Sequence, residues 1–288
     1  MRLDTGLMNF ARHLFLVAVA ATLQAQSPHE GNKPFPPYKV IGNIYYVGAD
    51  DITSYLITTP QGHIILNTGY EDTVPIIRDN VRALGFRLED VKIMLNGQAH
   101  FDHVAGQHDL QALTGAKIYS SAKEVAVVES GGAKDPRFGK EHTFAPVHVD
   151  HVVKDGEKVQ LGSVIVVAHL TPGHSQGCTT WTMTVAEGGK TYNVVFVGGT
   201  GINPGVYLVK NPTWPGIADD YERTFKVLRS LPCDIFLGAH GVYYGMLEKR
   251  KRMETAKANP FIDPQGYKDF IDHSEKVFRA QLAAEGGK

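Results

Sequence analysis

Four times along this chain an apolar, β-branched run breaks off into a loop of polar or glycine-rich residues, a punctuation that constrains the fold strongly. Val91 to Leu95 leads into Gln98-Ala99-His100-Phe101-Asp102-His103, and Val164 to Leu170 leads into Thr171-Pro172-Gly173-His174. Val194 to Val197 leads into Gly198-Gly199-Thr200, and Asp234 to Leu237 into Gly238-Ala239-His240. Short apolar runs bounded by such breakers read as buried strands. Loops at strand ends along one sheet edge are where proteins of mixed helix and sheet assemble their sites. Four such loops can converge on one point.

The segments between these runs fill in a layered fold. Ile44 to Val47, Ser54 to Thr58 and His63 to Leu66, with Pro60-Gln61-Gly62 as a turn, read as an antiparallel opening. Thr73 before Val74-Pro75, then Ile77, Val81 and Leu84 at helical spacing and Gly85, read as a capped helix. Gly106 to Leu113 continues as a short helix, and residues 129–142 read as a loop. Val152-Val153, Lys158 to Leu161, Val164 to Leu170, Thr179 to Val185 and Asn193 to Val197 are further strands. Tyr221, Phe225 and Leu228 mark a helix stopped by Pro232, and Asp263-Pro264 caps a final helix carrying Tyr267, Phe270, Ile271, Val277 and Phe278. Strands dominate both halves and helices separate them, so the class is α+β, with two mixed sheets packed face to face and helices outside. No low-complexity linker divides residues 26–288, which read as a single domain.

Composition removes several function classes. A formal net charge of -1 offers no electrostatic footprint for nucleic acid, and the one basic cluster, Lys249-Arg250-Lys251-Arg252, reads as a solvated helix face. Residues 1–25 read as a secretory signal: Arg12 and His13 precede the apolar run Leu14 to Ala21, with Leu23-Gln24-Ala25 as a cleavage site. Asp4 sits awkwardly in such a leader, which leaves Met1 and Met8 as alternative starts. The apolar run is too short to span a bilayer, so no membrane attachment is expected once the signal is removed. Export permits a disulfide between Cys178 and Cys233, yet both lie in apolar segments and read equally well as buried thiols.

The run from Gln98 to His103 places four potential metal-binding side chains within six residues. Imidazole and carboxylate are what Zn²⁺ accepts in catalytic sites, and a glutamine amide is a weaker donor. A histidine taken singly reads as a surface or satisfied core residue. His174 and His240 depart from that reading because each leaves an apolar strand and joins a dense cluster.

These residues resemble the metallo-β-lactamase superfamily, whose signature His-x-His-x-Asp-His stands here as Gln98-x-His100-x-Asp102-His103 with His174 and His240 as distal ligands. The resemblance runs from about Tyr38 to the C-terminal helix. It is closest to subclass B3, on His103, on Thr200, on the stretch from Leu170 to Trp181 and on Asn203-Pro204-Gly205. It implies an αβ/βα sandwich with metals at one edge. Gln98, His100 and His174 would hold a first zinc ion, and Asp102, His103 and His240 a second, tighter one. Two readings of Gln98 stay open: a labile first site, or ligation through the side-chain oxygen. The implied activity is hydrolysis of the β-lactam amide of penicillins, cephalosporins and carbapenems by zinc-activated hydroxide. Asp102 would act catalytically, and Thr200 and Tyr207 would contact substrate. A periplasmic, monomeric enzyme conferring antibiotic resistance follows, with no partner beyond its small-molecule substrate. Ile202 and Val206 depart from the family's hydroxyl-bearing residue and tyrosine, and the usual partner of Cys233, near Tyr267, is absent, so no bridge joins those segments. The alternatives are a zinc lactonase or ester hydrolase of the same fold, and a metal-binding relative of low turnover.

Overall fold

A computed structural model of the chain describes residues 29–139 and 141–286; the expected signal, 1–25, lies outside the described residues. A seven-stranded sheet runs in sequence order through β1 (Tyr38–Ile41), β2 (Ile44–Tyr46), β3 (Tyr55–Thr59), β4 (Gly62–Leu66), β5 (Val91–Leu95), β6 (Lys117–Ser121) and β7 (His151–Val153). It is antiparallel as far as β4 and parallel from there on. The switch occurs where a helix, α1 (Val74–Ala83), first returns the chain to the same end of the sheet. A five-stranded sheet is ordered β12-β11-β10-β9-β8, with β8 (Lys158–Leu161), β9 (Val164–Leu170), β10 (Thr179–Glu187), β11 (Lys190–Val197) and β12 (Ile235–Gly238). All its pairings are antiparallel except β11 with β12. The remaining helices are α2 (Phe101–Val104), α3 (Gln107–Thr114), α4 (Val125–Glu129), α5 (Ile217–Ser230), α6 (Met246–Arg252) and α7 (Pro264–Ala284).

The layers follow from strand alternation. Tyr55 and Ile57 of β3 join the core shared with Val166, Trp181 and Phe196 of the second sheet, while Leu56 packs with Ile77 and Val81 of α1. Both faces of these strands are covered, which is why their sequences read as continuous apolar runs rather than alternating ones. Tyr221, Phe225 and Phe278 of α5 and α7 close the other side of the second sheet. The result is the αβ/βα sandwich, with α1, α3 and α4 outside one sheet and α5 and α7 outside the other.

One expectation needs correcting. The basic run lies on α6, but it is not simply solvated: Lys249 is buried, its Nζ 2.9 Å from Asp263 Oδ2, and the Arg250 guanidinium lies 5.3 Å from the centre of the Tyr38 ring. Asp263 meanwhile caps α7 as expected, accepting from the Gly266 N–H. Cys178 and Cys233 are both free thiols. No helix among the described residues is long and apolar enough to cross a membrane.

Candidate metal centre

Strands β9, β11 and β12 run in the same direction, so the loops after them leave the second sheet at one edge. The exit of β5 is fastened to that edge from the first sheet. Thr179 N donates to the Gly97 carbonyl at 2.7 Å, and Trp181 Nε1 to the Asn96 carbonyl at 2.9 Å. A Cβ on Gly97 would sit 2.9 Å from the Gly198 Cα, so the close approach of these two exits depends on glycine. Thr53 N donating to the Ala239 carbonyl secures the last exit. All four expected loops therefore meet.

Asp102, His103 and His240 bring three donor atoms within 4.8 Å of one another. Asp102 Oδ2 lies 3.3 Å from His103 Nε2 and 3.6 Å from His240 Nε2. Neither contact is an aligned hydrogen bond, and His103, fully buried, has no partner at either ring nitrogen among the described residues. Leaving such a group unpaired is costly, whereas a shared cation in front of these donors would satisfy it. His240 Nδ1 lies 2.9 Å from Asp51 Oδ2, and Asp51 Oδ1 also accepts from the Val242 N–H at 2.8 Å. That pairing assigns the proton to Nδ1 and leaves Nε2 free to ligate.

The second set lies alongside. The His100 and His174 rings are 4.8 Å apart, and His174 Nδ1 donates to the Gly201 carbonyl at 2.7 Å, which again frees Nε2. Gln98 Nε2 donates to the Gly198 carbonyl at 3.2 Å, while its Oε1 is buried without a partner. The amide is thus oriented with its better metal donor unengaged. Burial holds His100 and His103 well below the ordinary histidine range, helped by neighbouring imidazoles, and burial lowers His174 too. Neutral imidazole is the form a metal takes up. For His240, burial pulls down but the Asp51 hydrogen bond and the carboxylates of Asp102 and Asp51 outweigh it, leaving it raised. The donor set fits zinc: all four histidines can present a neutral nitrogen, and Gln98 Oε1 and both His103 ring nitrogens are buried with no hydrogen-bond partner among the described residues.

Two supporting residues were not legible in the sequence. Asp51 holds His240, yet nothing local separates it from Asp50 beside it. Glu124, just before α4, is buried and accepts from Ser175 Oγ and from the Gly177 N–H at 3.1 Å, bracing the loop that carries His174. Burial pushes its carboxyl from 4.5 up to about 7, against the opposing hydrogen bond from Ser175. In the metal-free protein the folded state then binds a proton between those values that the unfolded chain has released. Stability should therefore fall as pH rises across that window, by about 3 kcal/mol in all. Glu124→Gln should flatten that part of the curve, checked by urea unfolding at either end of the window.

A cavity of about 480 Å³ opens beside His100 and His174, walled by Lys123, Arg137, Tyr207 and Trp214. That size suits a small molecule. Tyr207 stands at its lip, largely exposed, while Val206 is half-buried. Thr200 lies elsewhere: buried, it donates to Ser274 Oγ at 3.0 Å and lines a groove against α7.

Residues 47–240 match the Metallo-beta-lactamase superfamily model. Native FEZ-1 metallo-β-lactamase from Legionella gormanii is 43% identical, superimposes with a TM-score of 0.87, and is matched over 89% of this chain and 99% of that one. BJP-1, a subclass B3 metallo-β-lactamase of Bradyrhizobium japonicum, is 38% identical with a TM-score of 0.83, over 89% of this chain and 97% of that one. GOB-18 from Elizabethkingia meningoseptica is 33% identical with a TM-score of 0.84, over 91% and 97%. Curated relatives match shorter stretches. A probable metallo-hydrolase of Burkholderia pseudomallei is 27% identical over 53% of this chain and 51% of its own length. A hydroxyacylglutathione hydrolase of Methylobacterium sp. is 31% identical over 31% of this chain and 27% of its own. The chain thus spans about half the first of these relatives and about a quarter of the second. Taken with the two-sheet sandwich and the donors gathered at its edge, the match over residues 47–240 means that this chain belongs to the metallo-β-lactamase superfamily.

Proposed function

We propose that the protein is an exported, zinc-dependent β-lactamase that opens the amide of penicillins, cephalosporins and carbapenems and thereby confers antibiotic resistance. The observation that carries this reading is the pair of donor sets, Asp102-His103-His240 and Gln98-His100-His174, of which His100 and His174 open onto a small-molecule cavity. The likeness to FEZ-1 over nearly that protein's whole length supports the β-lactam substrate. We also place the mature chain in the periplasm as a monomer, residues 1–25 being its signal.

The chemistry a bound Zn²⁺ supplies is Lewis acidity, which polarises a carbonyl and lowers the pKa of water to about 7. The chain's residues do the rest. The Asp102 carboxylate, partly open to solvent, orients the attacking water and accepts its hydrogen bond. Asp51 keeps the His240 ring in the tautomer that presents Nε2. Lys123 and Lys134 on the cavity wall suit an anionic substrate such as a β-lactam carboxylate, and Tyr207 contacts it at the lip. A contact from Thr200 requires its hydroxyl to leave Ser274. Carboxylate and imidazole outrank a primary amide as zinc donors, so the Asp102-His103-His240 set is the tighter one. Dialysis followed by metal analysis tests this: one retained zinc ion per chain is expected, and two tightly held ions would overturn it.

A second reading, an ester or thioester hydrolase, draws on the short match to hydroxyacylglutathione hydrolases. One purified sample assayed on a chromogenic cephalosporin and on an acyl-lactone separates the two. Cephalosporin turnover should exceed lactone opening by at least about a hundredfold and should vanish with a chelator. Faster lactone opening would reverse the assignment.

A further inference from the structure

Asp135 lies in the loop that connects α4 to β7, a stretch with no ligand pattern, and its side chain is only 7% exposed. Its Oδ1 accepts from the backbone N–H groups of Arg137 at 2.7 Å and Phe138 at 2.8 Å, which locks the carboxylate in place. Its Oδ2 is left facing His100 Nε2 at 3.7 Å, and His100 is its only ion-pair partner among the described residues. The neighbouring guanidinium is engaged elsewhere: Arg137 Nε donates to the Pro204 carbonyl at 3.0 Å. The loop is held against the site by aromatic packing. Phe138 stands edge-on to the His100 ring at 5.0 Å, and Phe101 stacks on His142 at 3.9 Å. A separation of 3.7 Å exceeds a hydrogen bond, so the bond forms only when the imidazole turns toward the carboxylate.

We propose that Asp135 is the positioning carboxylate of His100. It accepts the Nε2–H and holds the ring in the tautomer whose only free donor for a metal is Nδ1. His240 and His174 have equivalent partners in Asp51 and the Gly201 carbonyl, each fixing one ring nitrogen. A carboxylate behind a ligating imidazole also raises its basicity. Here that support falls in the half-site whose third donor is the amide of Gln98, where donor strength is scarcest. The inference rests on the reading of Gln98, His100 and His174 as a metal half-site.

Asp135→Asn is the test. The asparagine Oδ1 can still accept both backbone N–H groups, so the loop keeps its shape, while an NH₂ replaces the oxygen that faces His100. In the metal-free protein, ¹⁵N NMR of the histidine rings should find His100 as the Nε2–H tautomer, and Asp135→Asn should convert it to Nδ1–H. In zinc titrations against a chromogenic chelator, the weaker of two binding events should lose about 10- to 100-fold in affinity, with the tighter event unchanged. Asp51→Asn should do the reverse. An unchanged tautomer together with an unchanged weaker event overturns the inference and leaves the half-site standing. Loss at both events, with a lower unfolding temperature of the metal-free protein, also overturns it, since the role is then merely structural. A native protein that takes up a single zinc ion sinks the half-site reading instead, and the metal-free tautomer measurement still decides whether Asp135 orients His100.

Discussion

Replacing Asp102 by alanine should lower kcat/KM for a chromogenic cephalosporin by about 10³-fold or more while the protein stays folded. A positioned carboxylate that orients and deprotonates water contributes about 10²–10⁴-fold, and Asp102 is also one of the three grouped side chains that could hold a metal ion. A thousandfold loss corresponds to about 4 kcal/mol of transition-state stabilisation. The fold should not share the loss. The Asp102 side chain makes no hydrogen bond among the described residues, and its oxygen stands 3.3 Å from His103 Nε2 and 3.6 Å from His240 Nε2. Asp102→Asn keeps the shape and removes the charge, so it should fall in the same range. Thermal unfolding of the metal-free variants distinguishes a chemical defect from a folding one. Hydrolysis above about a tenth of the native rate with either variant would remove Asp102 from the reaction.

Trp181→Ala should cost about 3–5 kcal/mol of folding stability, the range for deleting a large aromatic from a tight core. Trp181 is fully buried in β10, amid the core that joins both sheets, and its Nε1–H satisfies the Asn96 carbonyl two residues before Gln98. The substitution therefore opens a cavity and orphans a buried acceptor at the exit that delivers the metal-binding run. Trp181→Phe should fill most of the space and cost less, about 1–3 kcal/mol for the unmet carbonyl. Urea unfolding of the metal-free protein gives both numbers. A loss under about 1 kcal/mol for the alanine variant would mean that β5 is held by other contacts.

How much of this was written locally varies by element. Strands β4, β5 and β12 were legible because burial on both faces demands unbroken apolar, β-branched runs, while β3, β9 and β11 carry β-branched residues up to a breaker at the sheet edge. Strand β6 was not. Its Ser120 and Ser121 are buried yet polar, and Ser121 Oγ donates to the Gly177 carbonyl, 56 residues away. Helix α4, with the sequence VAVVE, carries residues that favour strands and is helical by tertiary placement. Lys249 read as solvated because the carboxylate that pairs with it, Asp263, is remote in sequence.

The site divides in the same way. The sequence by itself singled out the candidate donors, since Gln98, His100, Asp102, His103, His174 and His240 stand after strands and match the family signature by position. It also determined the two-sheet class, because hydrophobic periodicity is a local property. What only the tertiary structure decided is which nitrogen His174 and His240 leave free, and which groups stand beside the candidate donors. Asp51 behind His240, the Gly201 carbonyl behind His174, Glu124 behind Ser175 and Asp135 facing His100 all come from loops whose local sequence carries no sign of the task. A hydrogen-bond partner is chosen by proximity across the fold. Proximity is set by the packing of two sheets, which no single segment encodes.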